Sequence, residues 1–158
     1  MVDRIRTLTT PLLLIIILGF LVTGLTPMGS QDQDPVARAQ PGDTVFVWFN
    51  FVKPDMVEQY EEFVFEIFLP AMKKTAEEDP ERLAQLEQTR LLKPMREDPD
   101  GALPYVWLMD PVVTGKSYAF ASVLRAVYSE GEVEEFLNKF SETEAKPQVM
   151  YRTTQSEW

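Results

Sequence analysis

The order of its patterned segments predicts an α+β fold, a four-stranded antiparallel sheet backed by two principal helices in the order β-α-β-β-α-β. Three observations carry that reading. Runs rich in aromatic and β-branched residues at TVFVWFNFV (44–52), TRLLK (89–93), YVWLM (105–109) and QVMYRTT (148–154) read as strands. Stretches of helical periodicity lie between the first and second runs and between the third and fourth. Between the second and third stands Asp98-Pro99-Asp100-Gly101, a turn with proline at i+1 and glycine at i+3.

Each helix has its own signals. Asp55-Met56-Val57-Glu58 has the form of an acidic capping box opening a long helix. Met56, Tyr60, Phe63, Ile67 and Ala71 recur at helical spacing, and Phe65, Phe68 and Met72 widen that buried stripe. Pro70 is predicted to kink this helix. Asp79-Pro80 starts a shorter helix to about Gln88, with Asp79 as N-cap. Ser117 to Tyr128 reads as helical, with Ser117 as cap. Ser129 and Glu132 form a second capping box, opening a helix to about Phe140.

Ahead of this domain, Arg4 and Arg6 precede the apolar run LLLIIILGFLV (12–22). A basic start before a short apolar core is the secretory pattern, and a bilayer needs about 20 apolar residues. Residues 1–30 therefore read as a signal peptide, cut between about residues 22 and 40, after which the protein is periplasmic or secreted. An uncleaved membrane anchor using residues 11–28 is the alternative. Residues 31–43, QDQDPVARAQPGD, read as a polar linker, and 44–158 as the folded domain. Loss of Asp3, Arg4 and Arg6 makes the mature chain one unit more acidic than the net −10 of the whole. That charge, with no basic cluster, argues against nucleic acid as a partner. It leaves the membrane as a partner only if the N-terminal segment stays uncleaved.

One motif invites a nucleotide site. Gly115-Lys116-Ser117 follows a strand and precedes a helix-like pattern. A phosphate loop also needs glycine five positions earlier, and Asp110 stands there, where its charge would repel the ligand. The segment reads as an ordinary loop. The chain has no His and no Cys, which removes most transition-metal sites, haem held by those residues, thiol catalysis and histidine acid–base chemistry. The acidic runs Glu61-Glu62 and Glu77-Glu78-Asp79 match no calcium loop and read as solvated helix surface. No metal and no cofactor is expected.

Strand alternation sorts the sheet into two faces. Val45, Val47, Phe49, Val106 and Leu108 form one, which suits a helix-covered core. Phe46, Trp48, Asn50, Tyr105, Trp107 and Met109 form the other, with Arg90 and Arg152 as candidates to join it. The aromatic face is therefore expected to be the uncovered one, buried by a second copy of the chain, so that Phe46, Trp48, Tyr105 and Trp107 form the dimer interface and barrel lining. Trp48, Tyr105 and Trp107 are then either the core of a dimer interface or the wall of a ligand cavity. Asn50, a buried amide, either caps a neighbouring loop or faces ligand. Arg90 either points into the cavity to pair with an anionic group or lies on the surface.

From Thr44 to Gln155 the pattern resembles the ferredoxin-like dimeric α+β barrel superfamily, and within it the small domains similar to antibiotic-biosynthesis monooxygenases and NIPSNAP proteins. The segments that carry the likeness are VFVWFNF, MVEQYEEFVFEIFLPAMKK, and VYSEGEVEEFLNKFSE before QVMYRTT. The resemblance implies a homodimer of two plaits enclosing ligand cavities. Some members are cofactor-independent oxygenases, others haem enzymes or isomerases, and the axial histidine of the haem branch is absent here. Two function classes stay open. One is an exported barrel that binds a small apolar or aromatic ligand. The other is a cofactor-independent monooxygenase or isomerase acting on an aromatic substrate. Neither His nor an obvious carboxylate stands among the cavity candidates Trp48, Asn50, Arg90, Tyr105 and Trp107, which favours the binding class.

Overall fold

The computed structural model describes residues 38–157. Its strands are β1 (Thr44–Val52), β2 (Thr89–Leu92), β3 (Leu103–Met109) and β4 (Glu144–Thr154). Between β1 and β2 run α1 (residues 57–76) and α2 (Pro80–Gln88); between β3 and β4 run α3 (Phe120–Leu124) and α4 (Glu130–Thr143). The sheet order is β2-β3-β1-β4 with every neighbouring pair antiparallel. This is the ferredoxin-like plait that the segment order predicts.

The opening of α1 departs from expectation. Pro54–Met56 forms a 3-10 turn first, and neither Lys53 nor Met56 makes a side-chain cap bond. Pro54, its φ already fixed, starts the helical turn early and leaves Asp55 inside it rather than at a cap. Pro70 is handled without interrupting the helix. α-Helical Val57–Glu62 widens into a π-helix over Phe63–Phe68 and returns to α-helix over Leu69–Ala76. Pro70 has no N–H for the Glu66 carbonyl and its ring crowds that group, so a wider turn relieves both problems. The Leu69 N–H accordingly reaches back five residues to the Val64 carbonyl. The buried stripe becomes Tyr60, Val64, Phe68 and Met72, flanked by Phe63 and Ala71, while Phe65 lies on the exposed side.

Other local signals hold. The Asp79 carboxylate accepts from the amides of Glu81 and Arg82 at 3.0 and 3.3 Å. Glu132 accepts from the Ser129 amide and hydroxyl at 2.9 and 2.6 Å. Asp98 closes its turn by accepting from Asp100 and Ala102, with Gly101 at φ 81°. The helix predicted over 117–128 shrinks to Phe120–Leu124. The Ser117 hydroxyl accepts only from the amide of Ala119, a local turn rather than a helix cap.

The faces of the sheet are the reverse of those expected. Phe46, Trp48, Tyr105, Trp107 and Met109 pack with α1, α3 and α4 in the core. Asn50, between Trp48 and Val52 on the same face of β1, is buried with them. Val47, Phe49, Phe51, Val106 and Leu108 alternate to the side that carries no helix, joined there by Leu92, Val149 and Tyr151 through strand pairing. The reason is volume. Filling the layer between sheet and helices takes large rings, and the Phe-rich stripe of α1 meets them ring to edge, with Phe68 against Trp107 at 5.6 Å.

Residues 39–43 are bonded to the domain. Gly42 and Asp43 exchange backbone hydrogen bonds with Gln155, extending the β1–β4 ladder, and the Ala39 amide donates to Asp110. The signal peptide or anchor of residues 1–30, and the linker as far as residue 37, lie outside the described residues.

Candidate functional site

The layer between sheet and helices holds an aromatic box. Trp48 of β1 stacks on Phe120 of α3 at 5.8 Å and 8°. Trp107 of β3 meets both Phe120 and Phe68 edge-on. These rings, with Met72, Met109 and Tyr118, enclose a cavity of about 10 Å³, room for a single water in this closed arrangement. Tyr118 is held across it by accepting from the Val113 amide at 2.8 Å.

The polar groups in this layer are unusual in how few partners some of them have. Trp107 Nε1 donates to the Tyr60 hydroxyl at 3.1 Å, and Tyr105 donates to Glu61 at 2.7 Å. Burial pushes both tyrosines well above the ordinary phenol value, so both remain neutral. The Lys93 ammonium and the Tyr105 hydroxyl hold the Glu61 carboxyl below the usual range. Asn50 differs. It is 1% exposed, and neither its amide nitrogen nor its carbonyl oxygen has a partner among the described residues. It pairs with Tyr105 across the strands, beside the register shifts of β4 between Phe49 and Val52. The buried hydroxyl of Thr89, which lines the cavity, also lacks a partner.

At one end of the box stands Arg82 of α2, 7% exposed. Its guanidinium donates to Gln85 at 2.8 Å, the Ser117 carbonyl at 2.7 Å and the Ser122 hydroxyl at 3.3 Å. All three acceptors are neutral. Gln85, fully buried, donates in turn to the Lys116 carbonyl at 3.0 Å.

Of the residues expected to share a cavity, Trp48, Asn50, Tyr105 and Trp107 do lie on one face, and that face is the helix-covered one. Trp48 and Trp107 line the cavity, whereas Asn50 and Tyr105 lie beside it and do not. Arg90 does not join them. Paired with Leu108, it lies on the uncovered face and forms a 2.6 Å ion pair with Asp110. A charged residue in alternation with Thr89 and Leu91 was the sequence signal for which side meets solvent. Sequence reasoning did not find Arg82, Thr89, Tyr118 or Phe120. Arg82 and Gln85, three apart on one helix, did not stand out, because that helix also bears Glu81, Glu87 and Gln88.

No protein-family model and no curated protein matches the chain. Among solved structures, the chain is similar to that of a candidate antibiotic biosynthesis monooxygenase from Caulobacter crescentus. The identity is 14% and the TM-score 0.37, over 74% of this chain and 92% of the other. The strand order and the antiparallel pairing of all neighbours define the plait by themselves.

Proposed function

We propose that the protein is an exported homodimer that binds a small apolar or aromatic molecule inside each protomer, between the sheet and its helices. The observation that carries the binding reading is Asn50, which lies two residues beyond the cavity-lining Trp48 on the same face of β1, outside the cavity wall itself. A fully buried carboxamide with both ends unused costs several kcal/mol, roughly, unless a bound molecule or water satisfies it. Two tryptophans and a phenylalanine on the same layer supply flat apolar walls. The cavity-lining side chains include no carboxylate, and the chain has no His. Burial raises the Tyr118 hydroxyl, a poor base near neutral pH. Binding is therefore favoured over base-catalysed turnover.

Dimerisation draws its support from the uncovered sheet face. Val47, Phe49, Phe51, Val106 and Leu108 form a continuous apolar surface on it, with Tyr151 56% exposed at its edge. The charges around it are paired within the protomer, Arg90 with Asp110 and Lys146 with Asp98 and Asp100. A neutral apolar face on a protein of net charge −10 fits a second copy of itself better than a charged partner. Export draws its support from the basic start and short apolar run, and N-terminal sequencing of the protein from its host checks it.

Native mass spectrometry of the full-length protein tests binding. A small molecule retained by the wild type and lost in Asn50→Leu supports the reading; retention by both removes Asn50 from the site. Consumption of that molecule under air would favour the oxygenase alternative.

A further inference from the structure

α2 turns two polar residues inward beside Leu86. Arg82 and Gln85 are buried while Leu83, between them, is 43% exposed. Burying Arg82 and Gln85 in preference to Leu83 runs against the hydrophobic effect at these positions. The buried guanidinium has no ion pair among the described residues: the Asp79 carboxylate beside it accepts the Arg82 backbone amide and pairs its charge with Lys116. A buried charge answered only by neutral dipoles is costly. It also lines the aromatic cavity, together with the partnerless hydroxyl of Thr89.

We propose that this cavity takes a small aromatic monocarboxylate, its ring between Trp48, Trp107 and Phe120 and its carboxylate on Arg82. The inference rests on the ligand-binding reading above and adds the chemical class of the ligand. The guanidinium fork matches a carboxylate edge, and one guanidinium balances one negative charge. A phosphate dianion would bring a second charge into an apolar box that holds no other cation. The same contact explains how a closed cavity admits a ligand. Arg82 and Gln85 fasten the segment between β3 and α3 through the Ser117 and Lys116 carbonyls, and that segment carries Tyr118 over the cavity. A carboxylate competing for Arg82 releases the Ser117 carbonyl, and the cover loosens as the ligand arrives.

The test compares two probes of nearly equal shape, phenylacetate and neutral phenylacetamide, titrated into the full-length protein while its tryptophan emission is followed, with Trp158→Phe to leave only Trp48 and Trp107. Phenylacetate is expected to bind about tenfold or more tightly than the amide, the usual worth of a charge-assisted hydrogen bond. In Arg82→Gln that preference disappears. Equal affinity of the two probes for the wild type overturns the inference and leaves the aromatic-ligand reading standing. Saturable binding of neither at millimolar concentration overturns both. A preference that survives in a folded Arg82→Gln protein places the carboxylate elsewhere and also overturns it. Should that variant fail to fold, the wild-type comparison of the two probes still decides.

Discussion

Trp107 donates its indole N–H to the hydroxyl of Tyr60 at 3.1 Å, joining the middle of β3 to the first turns of α1 inside the core. The two residues are 2% and 0% exposed. Such a bond contributes modestly while it is made, and much more is lost when one partner is stranded. It fixes which face of the sheet the helix covers, since the reverse face offers Tyr60 no indole.

Tyr60→Phe removes the acceptor and leaves the Trp107 N–H buried without a partner. The expected loss is about 1–3 kcal/mol of unfolding free energy. Urea denaturation of Tyr60→Phe, Trp107→Phe and the double variant measures it. The double variant should be less destabilised than the sum of the two. Strict additivity would mean that the bond contributes nothing.

The face assignment leads to a pair of opposite outcomes. Trp48→Glu buries a charge against Phe120 and should unfold the protein. Phe49→Glu, on the uncovered face, should leave the fold intact and convert dimer to monomer. Lys73→Glu on the exposed side of α1 serves as control and should change neither. Circular dichroism and sedimentation of all three separate the effects. A folded dimeric Phe49→Glu protein would remove the uncovered face from the proposed assembly.

Lys146 ties the turn between β2 and β3 to β4, donating to Asp98 at 2.6 Å and to Asp100 at 2.8 Å. The Lys146 hydrogen bond, helped by the Ala102 and Asp100 amides, holds the Asp98 carboxyl below its ordinary value. A carboxyl lowered on folding contributes stability that is full above its unfolded value, about 3.9, and is lost as pH falls through the folded value. The Lys146 ammonium is raised, first by Asp100 and then by Asp98. Its contribution is full below about 10.4 and is lost as pH climbs through its folded value. Lys146→Met should therefore melt below the wild type across the neutral range, with the gap closing at both extremes. A gap that stays constant down to strongly acid pH would trace the loss to the lysine's contact with Phe51 instead.

The plait was readable because local signals agree with one another. Asp79, Ser129 with Glu132, and Asp98 with Gly101 each mark a boundary through chemistry confined to a few residues. Which face of β1 is inside was not readable, since VFVWFNFV is apolar on both sides and alternation sorts faces without naming them. The site was half readable. Trp48 and Trp107, with Asn50 beside them, follow from strand spacing, but Arg82 is buried on a helix that leaves Leu83 exposed. Only the tertiary contacts to the Ser117 and Lys116 carbonyls explain that orientation.

Asn50→Leu separates stability from binding at the residue on which the functional reading rests. Leucine keeps the branched outline of asparagine at a larger volume and asks for no hydrogen bond, and Asn50→Val, closer in volume, is measured beside it to separate overpacking from the lost amide. If Asn50 is kept for a ligand, its empty site is strained by an unsatisfied amide, and replacement should raise the ligand-free stability by about 1–3 kcal/mol. If the proposed ligand reaches Asn50, the same change should also lower its affinity, since it removes a donor and an acceptor. The trade is characteristic of a binding residue. Urea denaturation of ligand-free protein and titration with the co-purified molecule provide the two measurements. Lower stability together with unchanged affinity would assign Asn50 to the fold, holding β1 against the irregular stretch of β4, and the binding reading would lose its principal support.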